Sequence, residues 1–464
     1  MIAPVRGEAY SVILSFCGQW EYVESGAIST ALLLQSCFSL FLYENRMFAE
    51  RRQEIVDGTV LQLAEKEECW EEFLAYKIEK QHLSLKEEEE LRTFIGKREY
   101  LVYCDNWKKN RYPLQLPVKK VINKEGTEKK RVVYSFEGEE GIFLKFIAYH
   151  LFTFDEVFCD NCYAFRRGVS VGDAIRKLKS AKVDNKYCLK ADISNYFNSI
   201  NVKRLLEKLL FVKEKDVMLY QLFEKILLEE HVRENDKVVK EKHGAMAGTA
   251  FSPFLANVYL SDTDHFFHEK GILYFRYSDD ILLFADSLEE LQEFKRLLYE
   301  RLSEHGLCIN PEKVRIYGPS EKIDFLGFSY QNGEIDLSEN TLRKTKAKIK
   351  RKARALVRWR KKKGLSGEKA AIGFIRAMNR KFYGRDEERA EEFSWKRWFF
   401  PNLTVDGGLK EIDAYMQQYI RFAVTGRHYK GNYRISYEDM KTWGYRSLVN
   451  AYYKGKSKSR KQEK

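Results

Sequence analysis

The chain has few residues of the kinds that interrupt or cross-link a fold. Its 464 residues include 7 prolines and 8 cysteines. The cysteines are scattered, which argues against a disulfide scaffold and indicates a reducing compartment. Cys159 and Cys162 form the one C-x2-C pair, and no second pair or suitably spaced histidine accompanies it, so a zinc site is not predicted.

Charge is missing from one long stretch near the start of the chain. Ser25–Tyr43 contains no charged residue and is long enough to cross a membrane. Serine, threonine and glutamine interrupt it, and no basic segment precedes it as in a signal peptide. We interpret it as a buried helix of a cytoplasmic protein, with membrane contact as the less favoured alternative.

Acidic residues are missing from a second stretch, Arg343–Lys363, in which basic residues predominate. The whole chain carries a formal charge of +13, which favours a polyanionic partner such as nucleic acid. Apolar residues recur in the stretch at helical spacing, which predicts a helix docked by one face. The alternative is an ordinary charged surface helix. We expect the opposite face to contact phosphates of a duplex or structured RNA through Lys350, Lys352, Arg354 and Arg358.

The pattern along the chain predicts a mixture of helices and strands. Residues 1–95 read as helices, and the segments from Tyr100 to Phe136, including "EYLVY", read as short strands. Helices return from Ile142 to Lys182. "YCLKADI" is predicted to be a strand, "IDFLGFSY" another short strand, and the rest of the chain basic and helical.

Two adjacent carboxylates stand between apolar runs in "FRYSDDILLFADS" (Phe275–Ser287). An Asp pair is usually a solvated turn. Here the flanks predict a tight hairpin beside a core, with Asp279 and Asp280 at its tip. Close anions repel each other unless they share a cation, so the pattern predicts a divalent metal and a third carboxylate. The candidate is Asp192, which ends the strand "YCLKADI"; alone, it would more often be a helix or turn cap.

Several segments, in order, resemble the motifs of reverse transcriptases, most closely the prokaryotic enzymes of group II introns, retrons and phage defence. The segments are "KKRVVYSF" (Lys129–Phe136), "YAFRRGVSVGDAIRKL" (Tyr163–Leu178), "LKADISNYFNSI" (Leu189–Ile200), "GAMAGTAFSPFLANVYL" (Gly244–Leu260), "YSDD" (Tyr277–Asp280), "GLCINPEKVRI" (Gly306–Ile316) and "FLGF" (Phe325–Phe328). The fourth segment is called motif B below, and its Ser252-Pro253 pair is predicted to start a helix with Ser252 as the N-cap.

The resemblance implies an α+β right-hand polymerase fold, with fingers, a palm built on an antiparallel sheet, and a helical thumb. It divides the chain into an N-terminal helical region (1–95), fingers (96–186), a palm with helical insertions (187–335), a basic thumb (336–400), and a C-terminal helical extension with a basic tail (401–464).

The resemblance also implies roles for individual residues. Asp192, Asp279 and Asp280 would be catalytic and, with Ile193, would hold two Mg²⁺ ions, with Mn²⁺ as a substitute. Nucleotide contacts are expected from Lys119, Lys120, Arg131, Phe197, Gly248 and Lys313. The primer grip is expected at Phe325, Leu326 and Gly327, and a nucleic-acid contact at Arg166.

Phe197, five residues after Asp192, is expected to lie under the sugar and to clash with a 2′ hydroxyl, which would select deoxynucleotides. The alternative is plain core packing. For the cations, the alternative is a solvated surface charge.

The sequence departs from the family pattern in two of these segments. Motif B usually reads Pro-Gln-Gly, whereas this chain has Met246, Ala247 and Gly248, and an Asp often follows the aromatic residue where this chain has Asn198. Ordinary base selection is therefore in doubt, although the three aspartates are present.

The predicted function is RNA-directed DNA synthesis from dNTPs, with a cognate noncoding RNA as template partner and an anti-phage role. A homo-oligomer or a partner defence protein remains open. One alternative is a retron or intron-type maturase reverse transcriptase, although no endonuclease motif is found. An alternative of another class is a non-catalytic RNA-binding scaffold.

Overall fold

The computed structural model describes residues 59–81, 83–112, 114–123, 130–384 and 394–462. The apolar stretch Ser25–Tyr43 lies outside these ranges. Among the described residues, no helix combines the length and the apolar character that crossing a membrane requires.

Helices make up most of the described chain. In chain order they are α1 (Val60–Ala64), α2 (Glu67–Gln81), α3 (Leu85–Gly96), α4 (Glu99–Lys108), α5 (Gly138–His150), α6 (Val171–Ser180), α7 (Tyr196–Ser199), α8 (Val202–Lys208), α9 (Leu210–Lys215), α10 (Val217–Leu228), α11 (Ser252–Tyr259), α12 (Ser261–Glu269), α13 (Leu288–Glu304), α14 (Glu339–Lys363), α15 (Gly367–Tyr383), α16 (Trp395–Trp398), α17 (Gly407–Thr425), α18 (Tyr437–Thr442) and α19 (Leu448–Gln462).

Eleven strands of the described chain form three sheets. The strands are β1 (Val118–Asn123), β2 (Lys130–Ser135), β3 (Tyr187–Asp192), β4 (His231–Glu234), β5 (Lys237–Lys240), β6 (Tyr274–Tyr277), β7 (Asp280–Ala285), β8 (Arg315–Tyr317), β9 (Ile323–Phe325), β10 (Phe328–Gln331) and β11 (Glu334–Leu337). The sheet orders are β2-β1-β4-β5, β6-β7-β3-β8 and β11-β10-β9. The predicted mixture of helices with antiparallel sheet is confirmed.

The central sheet, β6-β7-β3-β8, is antiparallel throughout. Its two middle strands are almost entirely buried, and Cys188, Leu189 and Ala191 on β3 pair with residues of the apolar run Ile281–Ala285 on β7. Strands that are covered on both faces read as continuous apolar runs. The sequence interpretation of "YCLKADI" as a strand is therefore confirmed.

The segment "EYLVY" is helical, and its prediction as a strand was wrong. It opens α4, and the buried residues of that helix are Tyr100, Cys104 and Trp107, which recur at helical spacing. Tyr100 stacks on Trp70 with ring centroids 5.2 Å apart, and Trp70 stacks on Phe146 at 3.9 Å. Packing against this aromatic cluster decided the conformation, although short aromatic and β-branched runs favour strands locally.

The segment "IDFLGFSY" is a hairpin, and its prediction as one strand was wrong. β9 and β10 pair antiparallel, with Phe325 opposite Phe328. Leu326 and Gly327 form the two-residue turn with φ of 51° and 90°. Positive φ at both central residues gives a turn whose twist matches that of the flanking strands.

The basic stretch Arg343–Lys363 is helical, as predicted, and lies within α14. Its buried residues include Ile349, Ala353 and Val357, of which Ile349 and Ala353 belong to one core cluster with residues of α15 and α17. Ser338 is the N-cap of this helix, and its hydroxyl accepts from the N–H of Thr341 at 3.2 Å. α19 continues to Gln462, so the basic tail is helical to that residue. The predicted domain boundaries stay predictions.

Candidate active site

The three aspartates meet at one end of the central sheet. Asp192 is the last residue of β3 and lies directly opposite Asp280, the first residue of β7. Asp279 stands beside them in the two-residue turn between β6 and β7, where Ser278 has a φ of 60°. Directly opposed residues of antiparallel strands have Cβ atoms about 5 Å apart. The fold therefore brings the predicted residues together.

Backbone hydrogen bonds hold these aspartates in register with a neighbouring loop. The N–H of Ile193 donates to the carbonyl oxygen of Asp279 at 3.1 Å, which ties the residue after β3 to the turn. The N–H of Asn310 donates to the carbonyl oxygen of Asp192 at 2.8 Å. The second contact places Lys313, three residues further on, at the site.

Burial and mutual repulsion make negative charge costly here. Burial, followed by the charges of Asp279 and Asp192, raises the pKa of Asp280 to about 6, although Lys190 and Lys313 oppose the rise. Burial, followed by the charge of Asp192, also raises the pKa of Asp279. Such a site favours a cation, because positive charge relieves both effects.

Lysines supply positive charge at the aspartates. The Lys313 ammonium donates to Asp192 Oδ1. Lys190, two residues before Asp192 on β3, donates to the carbonyl oxygen of Asp324 at 2.6 Å and lowers the pKa of Asp280. Throughout the described ranges, no three acidic, histidine or cysteine side chains form a metal cluster as they stand. The carboxylate donor set nevertheless fits Mg²⁺, provided that Lys313 releases Asp192.

Three cations of β1 and β2 are predicted to contact the nucleotide, and they differ in their surroundings. Arg131 on β2 is exposed, and its positive charge opposes the rise in the pKa of Asp279. Lys119 pairs with Glu241 at 2.7 Å and with Glu234 at 3.4 Å. Lys120 pairs with Glu137 at 2.7 Å. Arg131 is therefore the best placed of the three to meet a phosphate, whereas both lysines already have acidic partners.

Motif B packs between β2 and the segment after Asp192. The N–H of Ala247 donates to Asn198 Oδ1 at 3.2 Å, and the Ala247 carbonyl oxygen accepts from the N–H of Tyr134 at 2.8 Å. Gly248 has a φ of 102°, and a Cβ there would lie 3.1 Å from the Tyr134 carbonyl oxygen. Both the backbone angle and the close approach favour glycine.

The helix of motif B starts where predicted, but not with the predicted cap. Pro253 lies in the first turn of α11, as expected, and Phe251 occupies the N-cap position. Ser252 is already helical, and its hydroxyl donates to the carbonyl oxygen of Thr249 at 2.9 Å. The hydroxyl therefore stabilises the preceding turn, and its prediction as the N-cap was wrong.

Phe197 is half-buried beside other aromatic rings. Its ring centroid lies 5.6 Å from that of Tyr196 and 6.3 Å from that of Phe165. Phe165 in turn lies 6.3 Å from Tyr277, the residue before the Asp-bearing turn. Phe197 is thus a partly exposed ring linked through Phe165 to Tyr277, and its role as a sugar gate stays a prediction.

The predicted primer grip lies at the β9–β10 turn and contacts the start of the basic helix. The Gly327 carbonyl oxygen accepts from the Thr341 hydroxyl at 2.8 Å and from the N–H of Ser338 at 3.0 Å. Phe325 is buried and Leu326 half-buried. The turn and α14 are therefore joined by direct hydrogen bonds.

The remaining predicted cations fall into two groups. Arg166 donates through Nη1 to the carbonyl oxygens of Cys159 and Cys162, at 2.9 and 3.2 Å, which makes it a loop anchor. The four cations of α14 are exposed, as a phosphate-binding face requires: Lys350, Lys352, Arg354 and Arg358.

Comparison with known proteins agrees with this geometry. Residues 122–330 match the family described as reverse transcriptase (RNA-dependent DNA polymerase). Over this segment the chain is similar to reverse transcriptases. The match includes all three aspartates and, with the antiparallel central sheet, confirms the predicted α+β right-hand polymerase fold.

One curated relative is the Retron Ec86 reverse transcriptase of Escherichia coli. It is 28% identical over 106 residues, which are 22% of this chain and 33% of that protein. The chain thus matches about a third of the relative's length.

Solved telomerase structures overlap with the chain at low scores. Apo telomerase from Candida tropicalis, truncated of its C-terminal domain, has a TM-score of 0.37 and 15% identity over 52% of this chain and 60% of that chain. Telomerase from Candida albicans in complex with a TWJ fragment of telomeric RNA has a TM-score of 0.37 and 13% identity over 75% of this chain and 66% of that chain. Scores of this size support no conclusion about function.

Two charged residues within residues 122–330, Lys190 and Arg276, were not singled out from the sequence. Lys190 shares a strand face with Asp192 because side chains alternate along a strand. Arg276 stands in the buried strand β6 and is fully buried. The sequence could have indicated both residues, because a charged side chain within an apolar strand needs a partner.

Proposed function

We propose that the chain is an RNA-directed DNA polymerase that extends a primer by nucleotidyl transfer at Asp192, Asp279 and Asp280. The observation that carries the proposal is the direct opposition of Asp192 and Asp280, with Asp279 in the adjoining turn. Three carboxylates at one sheet end, near Arg131 and Lys313, suit a reaction that gathers phosphates and divalent cations.

Each neighbouring residue has a task in this proposal. Arg131 binds the triphosphate from the fingers side, because its guanidinium can contact two phosphate oxygens at once. Phe197 excludes a 2′ hydroxyl. Lys313 leaves Asp192 as the substrate enters and then faces the departing pyrophosphate. The turn at Leu326 and Gly327 positions the primer end, and α14 holds the duplex backbone.

The carboxylates, with the carbonyl oxygen of Ile193, would hold two divalent cations, Mg²⁺ with Mn²⁺ as a substitute. When bound, such ions supply a lowered pKa for the attacking hydroxyl and positive charge for the leaving group. The partners of the proposed enzyme are an RNA template, dNTPs and a DNA product.

The test uses Asp279→Asn and Asp192→Asn, which keep side-chain size and remove one charge. Each variant should lose magnesium-dependent dNTP incorporation by at least about 100- to 1000-fold, the usual loss when a group stabilising the transition state is removed. Unchanged thermal melting would show that the fold persists. Full activity in either variant would exclude the assignment.

We further propose that the template partner is a cognate noncoding RNA and that the enzyme acts in the cytoplasm against phage. Support comes from the resemblance to prokaryotic reverse transcriptases and from the retron relative. Sequencing of nucleic acid that copurifies with the protein tests the first point. Loss of phage protection in the Asp279→Asn strain tests the second. An intron maturase would copurify with its intron RNA. A non-catalytic scaffold would still protect the Asp279→Asn strain against phage.

A further inference from the structure

Behind the Asp-bearing turn lies a buried ion pair that the proposed chemistry leaves unassigned. Arg276 on β6 and Asp264 on α12 are both fully shielded from solvent. Arg276 Nε donates to Asp264 Oδ1 at 2.7 Å, and Nη2 donates to Oδ2 at 2.5 Å. The planar guanidinium therefore meets the carboxylate in the two-point geometry that fixes its orientation.

The other guanidinium hydrogens also have acceptors. Nη1 donates to the Ser278 carbonyl oxygen at 3.3 Å and to Asn257 Oδ1 at 3.4 Å. Nη2 additionally donates to Cys162 Sγ at 3.2 Å. A guanidinium has five N–H donors, and this site offers five acceptors. One of those acceptors is the backbone of the residue that precedes Asp279.

Arg276 also joins the Ser278-Asp279 turn to a second segment of the chain. The backbone N–H of Arg276 donates to the Asn161 carbonyl oxygen at 2.9 Å, and its carbonyl oxygen accepts from the N–H of Tyr163 at 2.9 Å. Asn161 Nδ2 donates to the carbonyl oxygen of Asp264 at 2.8 Å. The segment around Asn161 is thereby held as a short parallel neighbour of β6.

Motif B is held to this network as well. Asn257, which lies on α11 and is fully buried, accepts from Arg276 and donates through Nδ2 to the Ala164 carbonyl oxygen at 2.7 Å. Besides Asp264 on α12, three separate parts of the chain therefore converge on this guanidinium: the Ser278-Asp279 turn, motif B and the segment from Asn161 to Ala164.

We propose that Arg276, held by Asp264, is a positioning residue that sets the conformation of the Ser278-Asp279 turn and thereby the placement of the catalytic carboxylates. This inference rests on the proposed function. Ser278 has a positive φ, and a hydrogen bond to its carbonyl oxygen restrains that turn from inside the protein. Asp279 follows directly, so a shift of Ser278 moves its carboxylate.

A purely structural role makes a different prediction from a positioning role. Replacing a buried ion pair by apolar residues of similar volume is often neutral for stability, whereas removing one partner strands a buried charge. The double variant Arg276→Met/Asp264→Leu therefore removes both charges together. It keeps the core filled and deletes the hydrogen bond to Ser278.

The experiment compares the full-length wild type with this double variant and with Arg276→Lys. The Lys ammonium keeps the charge beside Asp264 but cannot span Asp264 and Ser278, because it lacks the planar fork. The control is Lys186→Met/Asp286→Leu. That double replacement removes an ion pair beside Tyr187 and Ala285, which face each other at the opposite end of the β3–β7 pairing.

The readouts are melting temperature, kcat and KM for dTTP on a homopolymer RNA template with a DNA primer, and amide hydrogen exchange of Phe275–Leu282. We expect the double variant to melt near the wild type. Its kcat should fall roughly 100-fold, the cost of a misplacement of about 1 Å, with little change in KM. Exchange across the turn should accelerate. The control should match the wild type in all readouts.

Wild-type kcat and wild-type exchange in a folded double variant would overturn the proposal. If that variant does not fold, Arg276→Lys decides by the same two readouts. If the wild type itself incorporates no nucleotide, the proposed function fails. Amide exchange in the turn of the double variant then decides alone: faster exchange supports the positioning role, and unchanged exchange contradicts it.

Discussion

The side-chain oxygen of Asn198 accepts a hydrogen bond from the backbone N–H of Ala247 at 3.2 Å. Both residues are positions at which the chain departs from the motifs it resembles. The carbonyl oxygen of Ala247 is held in turn by Tyr134 of the fingers sheet. The motif B loop is therefore held through its backbone at the position where the family usually has a glutamine.

Loss of this bond should weaken nucleotide binding. Asn198→Ala removes the acceptor and frees the loop that ends at Gly248, so KM for dNTPs should rise by roughly 2- to 10-fold, the size of one net hydrogen bond. Asn198→Asp keeps an acceptor and should stay near the wild type. Equal KM values for wild type and Asn198→Ala would show that the hydrogen bond does not support the nucleotide site.

Phe197→Ala should admit ribonucleotides. Removing the half-buried ring opens space where a 2′ hydroxyl would clash, so the ratio of rNTP to dNTP incorporation should rise by roughly 10- to 100-fold. Phe211→Ala, which truncates a half-buried ring on α9, is the matched control and should leave the ratio unchanged. An unaltered ratio in Phe197→Ala would mean that the ring is core packing.

The exposed face of α14 should bind nucleic acid through phosphates. Duplex binding at low salt should weaken when Gln replaces four residues together: Lys350, Lys352, Arg354 and Arg358. The dependence of log K on log salt should become shallower by roughly 0.9 for each phosphate that the variant no longer neutralises. Gln keeps the helix, because its propensity is close to that of Lys and Arg.

The control for that series exchanges Lys and Arg at the same four positions, which preserves charge and should preserve the slope. Titration of a labelled duplex at several salt concentrations measures both quantities. Parallel lines for the Gln variant and the wild type would leave α14 as an ordinary charged surface.

Glu140 should make stability depend on pH. It is buried on α5, accepts the N–H of Gln115 at 3.1 Å, and burial raises its pKa from 4.5 to about 7, against the opposing effects of that bond, Tyr112 and Lys225. Between pH 4.5 and 7 the folded state keeps a proton that the unfolded state has released. The contribution of protonated Glu140 to stability is therefore present below pH 4.5 and is lost as the pH rises to about 7.

Glu140→Gln should flatten this dependence and raise the melting temperature above pH 7, because Gln keeps an acceptor without the buried charge. Thermal melting from pH 5 to 8 measures the effect, with the exposed neighbour Glu139→Gln as the control. Identical pH profiles for Glu140→Gln and the wild type would contradict the assignment.

The sequence by itself determined the elements that carry the three aspartates. The alternation before Asp279 and the apolar run after it predict a tight hairpin, and "YCLKADI" predicts a buried strand that ends in Asp192. It determined the basic helix of α14 in the same way, through apolar spacing on a face opposite the cations. These are local patterns, and periodicity records them directly.

Only the tertiary structure decided what depends on distant partners. "EYLVY" is a helix because Trp70 and Phe146 lie against it, and "IDFLGFSY" bends at Leu326 and Gly327 because both adopt positive φ. Likewise, Arg166 anchors a loop, Lys313 pairs with Asp192, and Arg276 reaches Asp264, Asn257 and Ser278 at once. A charged side chain takes its role from the acceptors that the fold brings to it, and sequence spacing alone does not determine those contacts.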